Sequence, residues 1–169
     1  MKKIVIALCG LLVLLSLCGC QNEGKVKADL SAYGDTPIAI VGLTENEFTV
    51  TPNELAALPC VRQSVDSKSA KVGTVTAVVP LLNTFLAQYN VSQADFTTIR
   101  ISAADGYKTI LKDDLLKGEI ILAVASGNDP LDESYQPLRM IIPEAASSFW
   151  TCQVSRIEFL KDGTETGGE

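Results

Sequence analysis

Apolar residues along this chain change spacing again and again, from alternation to helical period and back, in runs of only a few residues. Pro37 to Leu43 is a short apolar run, and Phe48 and Val50 alternate with polar neighbours, so both segments predict strands. Thr51-Pro52-Asn53-Glu54 predicts a short helix, with a Thr N-cap, Pro at the first helical position and Glu placed to complete a capping box. Leu55 and Leu58 form its apolar side and Pro59 ends it. Val61 to Val65 and Val72 to Val79 predict two strands joined by the polar turn Asp66-Ser67-Lys68-Ser69. Pro80 opens a second helix whose apolar face is Leu81, Leu82, Phe85, Leu86 and Tyr89. Ile99 and Ile101 alternate with polar residues and run into Asp105-Gly106, a hairpin turn, with Tyr107, Thr109 and Leu111 on the return strand. Ile120 to Ala125 is continuously apolar and predicts one strand buried on both faces; Leu138 to Ile142 and Val154 to Leu160 predict the last two. So many short strands with so few helices predict an α+β domain, mainly β, built of mixed sheets with short helices. A doubly wound fold fits poorly, because too few helices lie between the strands.

The N-terminus carries an address rather than part of the fold. Met1-Lys2-Lys3 is a short positive region, and Ile4 to Leu17 is largely apolar. A spanning helix needs about 20 apolar residues. This run stops sooner, at Cys18-Gly19-Cys20, and polar residues follow. Leu17-Cys18-Gly19-Cys20 resembles the lipobox of bacterial lipoproteins, and the resemblance implies that Cys20 is acylated and becomes the first mature residue. The expected organisation is a signal peptide over 1–19, a lipidated Cys and tether over 20–36, a globular domain over 37–161 and a flexible tail over 162–169. That makes an extracytoplasmic protein held on a membrane by its lipid.

Composition then removes whole classes of function. With 14 Lys and Arg against 20 Asp and Glu the net charge is −6, and more negative once Lys2 and Lys3 leave, so no nucleic-acid partner is expected. The chain has no histidine, which excludes His-ligated zinc, Ser-His and Cys-His pairs and imidazole acid-base catalysis. There is also no glycine-rich phosphate loop, no G-x-S-x-G elbow and no S-x-x-K arrangement. Of five cysteines, only Cys60 and Cys152 belong to the domain. They form either a disulfide, favoured outside the cytoplasm, or two buried thiols, and the residues leave both open.

Few charged positions stand out. Asp113-Asp114 read as a solvated face. Asn128, Asp129, Asp132 and Glu133 lack the spacing of a calcium loop and read as plain surface. Arg139 differs, because it sits in Pro137-Leu138-Arg139-Met140-Ile141-Ile142-Pro143, where a charge is costly unless paired. Either it forms a structural ion pair, with Asp105 as the partner, or it clamps a phosphate or carboxylate. Trp150 either lines a pocket or fills the core.

Four pieces of the domain, in order, carry a resemblance. They are Val79-Pro80-Leu81-Leu82-Asn83-Thr84-Phe85-Leu86, then Ser102-Ala103-Ala104-Asp105-Gly106-Tyr107, then Asn128-Asp129-Pro130-Leu131 with Pro137 to Pro143, and finally Ser155-Arg156-Ile157-Glu158-Phe159. Together they resemble the molybdopterin-binding domain of the sulfite oxidase family. The resemblance implies that fold, and the ligand-binding candidates are Asp105, Gly106 and Tyr107 of the matched turn together with Arg139 and Trp150. The chain departs from the family where the metal is held. Ser64-Val65-Asp66-Ser67-Lys68 stands where the family has its molybdenum-ligating Cys, Cys60 comes several residues too early, and the cofactor-contacting His has no counterpart. The expectation is therefore no catalytic or metal-ligating residue and no cofactor, with molybdopterin only if the family activity is retained. Three readings follow: a module that binds a small ligand or an envelope protein, a molybdopterin-dependent oxidoreductase or its accessory subunit, and a structural envelope lipoprotein.

Overall fold

The computed structural model describes residues 24–66, 73–143 and 145–161. The expected signal peptide, Cys20, most of the turn after Asp66 and the tail over 162–169 lie outside the described residues. Strand β1 (Ile38–Val41) pairs antiparallel with β2 (Phe48–Val50), and the short helix α1 (Pro52–Ala56) follows at once. Its start is the predicted capping box, with the Thr51 side chain accepting from the Glu54 N–H and the Glu54 carboxylate accepting from the Thr51 N–H at 2.7 Å. Strands β3 (Val61–Asp66) and β4 (Thr74–Val79) form an antiparallel hairpin. Helix α2 (Leu82–Leu86) begins two residues after Pro80 and ends in a 3-10 turn, Ala87–Tyr89, which the left-handed Asn90 stops.

Strands β5 (Thr98–Ala103) and β6 (Lys108–Lys112) are the hairpin predicted around Asp105-Gly106. Gly106 takes a φ of 91°, and the Asp105 carboxylate accepts from the Tyr107 N–H at 2.9 Å. The apolar run 120–125 does not make one strand. It divides into β7 (Ile121–Ala123) and β8 (Ala125–Ser126), because each half has its own partner: β10 (Arg139–Ile141) for the first and β9 (Asp129–Pro130) for the second. Strand β11 (Val154–Leu160) closes the chain.

The largest sheet has the order β2-β1-β11-β5-β6, with β1 and β11 parallel and every other pair antiparallel. Alternate residues Ile38, Ile40, Ile99, Ile101, Ile157 and Phe159 are buried, and each such side chain contributes about 1.5–3 kcal/mol. Leu82, Phe85 and Leu86 of α2 and the β7 and β10 residues join the same apolar cluster. Gly42 has a φ of 84°, and a β-carbon there would overlap the Phe159 carbonyl oxygen, so this bend between β1 and β2 requires glycine. Among the described residues no helix is long and apolar enough to cross a membrane.

The segment read as a tether packs on the domain over its described part. Gly24 makes a β-bridge with Cys60, and Leu30 and Tyr33 are buried in the main cluster. The reason is the Tyr33 phenol. It donates to the Val124 carbonyl at 2.8 Å and accepts from the Leu131 N–H at 2.8 Å, satisfying two buried backbone groups where β7 gives way to β8.

Candidate ligand-binding cleft

Arg139 begins β10 and is 7% exposed. Its guanidinium lies over the Tyr135 ring at 4.4 Å and the Trp150 ring at 5.3 Å, so two aromatic faces replace part of its lost hydration. Its Nε is buried without any hydrogen-bond partner, and among the described residues no carboxylate pairs with it. The ion pair expected with Asp105 does not form. Asp105 is engaged at its own turn, in hydrogen bonding to Tyr107.

Arg139 and Tyr135 line a cleft of about 750 Å³ between the β3–β4 hairpin, β7, β8 and the loop after β9. That volume falls in the range of small-molecule sites, about 300–1,000 Å³. Thr74 and Thr76 contribute one wall, and Asp129, Asp132 and Glu133 stand along the other. The loop carrying these carboxylates is tied down at several points. Leu131 is buried and held by Tyr33, the Gln136 side chain donates to the Leu131 carbonyl at 2.8 Å, and the Tyr135 N–H donates to the Asp132 carbonyl at 2.8 Å. Asp132 also accepts from the Ser134 hydroxyl at 2.7 Å and from its N–H, bonds that hold its carboxyl below the usual range.

The candidates named from sequence divide between the cleft and its back. Trp150 touches Arg139 but is buried, with its Nε1 donating to the Ile142 carbonyl at 2.9 Å, and it is part of the core. Asp105, Gly106 and Tyr107 do not line the cleft. Tyr107 is 49% exposed, and its hydroxyl donates to the Ser148 carbonyl at 2.6 Å. The residues that sequence reading missed are Tyr135 and the carboxylates of 129–133, which looked like plain surface. Tyr135, an aromatic residue four positions before an apolar-embedded Arg, was the available signal.

Cys60 and Cys152 are free thiols, not a disulfide. Cys60 is buried before β3 with its thiol donating to the Leu58 carbonyl at 3.1 Å, and burial pushes its pKa up. Cys152 lies beside Arg139 on the approach to β11. Burial raises its pKa, the guanidinium offsets part of the rise, and Asp105 adds to it. Both thiols are therefore protonated at neutral pH.

No protein-family model and no curated protein sequence matches the chain. Among solved structures, the chain is similar to the sulfane dehydrogenase SoxCD from Paracoccus pantotrophus, with a TM-score of 0.62 at 17% identity over 85% of this chain. The fold is that of the sulfite oxidase molybdopterin domain. This chain spans 42% of the SoxCD chain it matches. Within this sulfite-oxidase-type fold the donor set does not fit a thiolate-held metal. Ser64, on the strand matched to the metal-ligating Cys, hydrogen-bonds Thr76 at 2.9 Å across the hairpin, and neither Cys60 nor Cys152 lines the cleft. Among the described residues no three His, Cys, Asp or Glu side chains come together as a metal site.

Proposed function

We propose that this chain is a lipid-anchored extracytoplasmic binding module, which keeps the sulfite-oxidase-type fold as a scaffold and has lost its metal chemistry. The ligand enters the cleft and places an anionic group on Arg139. One observation carries this reading: a buried guanidinium whose Nε has no partner and which, among the described residues, no carboxylate neutralises. Burying an unpaired charge is destabilising, and a bound anion would relieve that cost. The missing thiolate supports the absence of metal chemistry, and the lipobox-like Leu17-Cys18-Gly19-Cys20 supports the anchor.

The test is molybdenum and pterin analysis of the full chain purified from a cofactor-producing host, with calorimetric titration by inorganic phosphate and by dicarboxylates. The expected result is no metal, no pterin and an enthalpy of anion binding that Arg139→Gln removes. Near-stoichiometric molybdenum would instead establish the oxidoreductase or accessory-subunit reading and make Cys60 and Cys152 the thiols to test as ligands by substitution. Neither metal nor binding would leave a structural envelope role. Fatty-acid labelling of the expressed chain, lost in Cys20→Ser, tests the anchor; labelling that survives the substitution refutes it.

A further inference from the structure

Among the described residues the cleft presents one positive and three negative side chains, and they occupy different depths. Arg139 is more than nine-tenths buried, with its Nε unpartnered, whereas Asp129, Asp132 and Glu133 are exposed along the rim. None of the three carboxylates forms an ion pair among the described residues. Ser134 keeps Asp132 ionised. A simple dianion entering this cleft would satisfy Arg139 but meet the field of the rim. A simple cation would suit the rim and leave Arg139 as it is. A metal ion is a poor occupant, since no three ligating groups converge among the described residues.

We infer that the cleft takes a small zwitterionic organic ligand, its carboxylate on Arg139 and its ammonium against Asp129, Asp132 and Glu133. This rests on the reading of the cleft as a binding site given above and adds the class of ligand. Opposite charges separated by the depth of the cleft are matched by a molecule whose own charges are separated by a chain. The rim therefore acts as a filter: it lowers the affinity of anions that Arg139 alone would accept.

The test uses the full chain in nonionic detergent and calorimetry with β-alanine, γ-aminobutyrate and ε-aminocaproate, against adipate, hexylamine and inorganic phosphate. The expected result is that the best amino acid binds about tenfold or more tightly than adipate or hexylamine, the loss expected from one charge-assisted contact. The rim double variant Asp129→Asn with Glu133→Gln should reverse that order, weakening the amino acid and strengthening adipate. Both positions are exposed, so this variant folds even if Arg139→Gln does not. Adipate or phosphate binding more tightly than every amino acid would overturn the zwitterion and leave an Arg139 anion site standing. Equal absence of binding by all six probes, in the wild type and in Arg139→Lys alike, would overturn both the zwitterion and the binding site.

Discussion

Gln93 and Arg139 are buried to nearly the same degree, 3% and 7% exposed, yet their surroundings treat them in opposite ways. Gln93 opens a 3-10 turn, and its side-chain amide donates to the carbonyls of Leu116 and Gly118, each at 2.9 Å, while its backbone N–H donates to Asn83 at 2.9 Å. It fastens α2 to the segment leading into β7 and leaves no donor of its own unused. Arg139 has aromatic faces and a neighbouring thiol where a carboxylate would be expected. Burial alone therefore says little about a polar residue's task. A fully partnered group holds the fold, and an unpartnered one at the floor of a cleft is available to something outside it.

Substitutions should separate the two. Gln93→Leu orphans one buried and one part-buried carbonyl and is expected to cost about 2–3 kcal/mol, read from the urea midpoint. An unchanged midpoint would remove the structural half of the contrast. Tyr33→Phe, which strips the partner from Val124 and Leu131, should cost about 2 kcal/mol and loosen the cleft loop. Hydrogen exchange at the Tyr135 amide, which donates to the Asp132 carbonyl within the loop and not to Tyr33, is the check, since a purely local loss would leave that amide protected. Arg139→Met should do the reverse of Gln93→Leu. Stability should stay within about 1 kcal/mol of the wild type, because lost contact with the rings is offset by removal of an unpaired buried charge, while ligand binding disappears.

A weaker effect comes from pH. Burial raises the pKa of Cys60, Cys152, Tyr33 and Tyr89 in the folded chain. An unfolded chain then loses these protons first, so the stabilisation is complete below the ordinary thiol value of 9.0 and falls as pH rises beyond it, with the phenols following from 10.0. Urea midpoints between neutrality and strong alkali should decline above that point. Cys60→Ala should make the decline shallower while Cys152 still sets its onset, and a curve that rises with pH would contradict the sign. The smallest effect belongs to the rim, where Asp129→Asn should leave the midpoint unmoved.

The fold was largely legible because its signals are local. Thr51-Pro52-Asn53-Glu54, the Asp105-Gly106 turn and the alternation through Ile99 and Ile101 each state a backbone geometry within a few residues. The split of 120–125 was hidden, since periodicity cannot show that adjoining residues pair with different strands. Arg139 could be singled out from its apolar neighbours, but which groups surround it, and that no carboxylate pairs with it among the described residues, depends on residues distant in sequence. The acidic loop looked like surface for the same reason: what makes it a wall is the β3–β4 hairpin on the other side. Segment 24–36 reads as a tether because Leu30 and Tyr33 are its main apolar anchors in a polar stretch, and the hydrogen-bond partners of Tyr33 lie some ninety residues on.

The bridge between Gly24 and Cys60 limits how long a leash a lipid on Cys20 would give the domain. If Cys20 carries lipid, the free path from anchor to first paired residue is at most about 14 Å, four residues fully drawn out. Neutron reflectometry on a supported bilayer would show such a domain as a layer directly against the headgroups, and a water gap wider than that path would exclude it. A protein so tied has no reach across an envelope. Its encounters would take place in two dimensions, with molecules that are themselves in the membrane or that wander into the thin layer of water beside it.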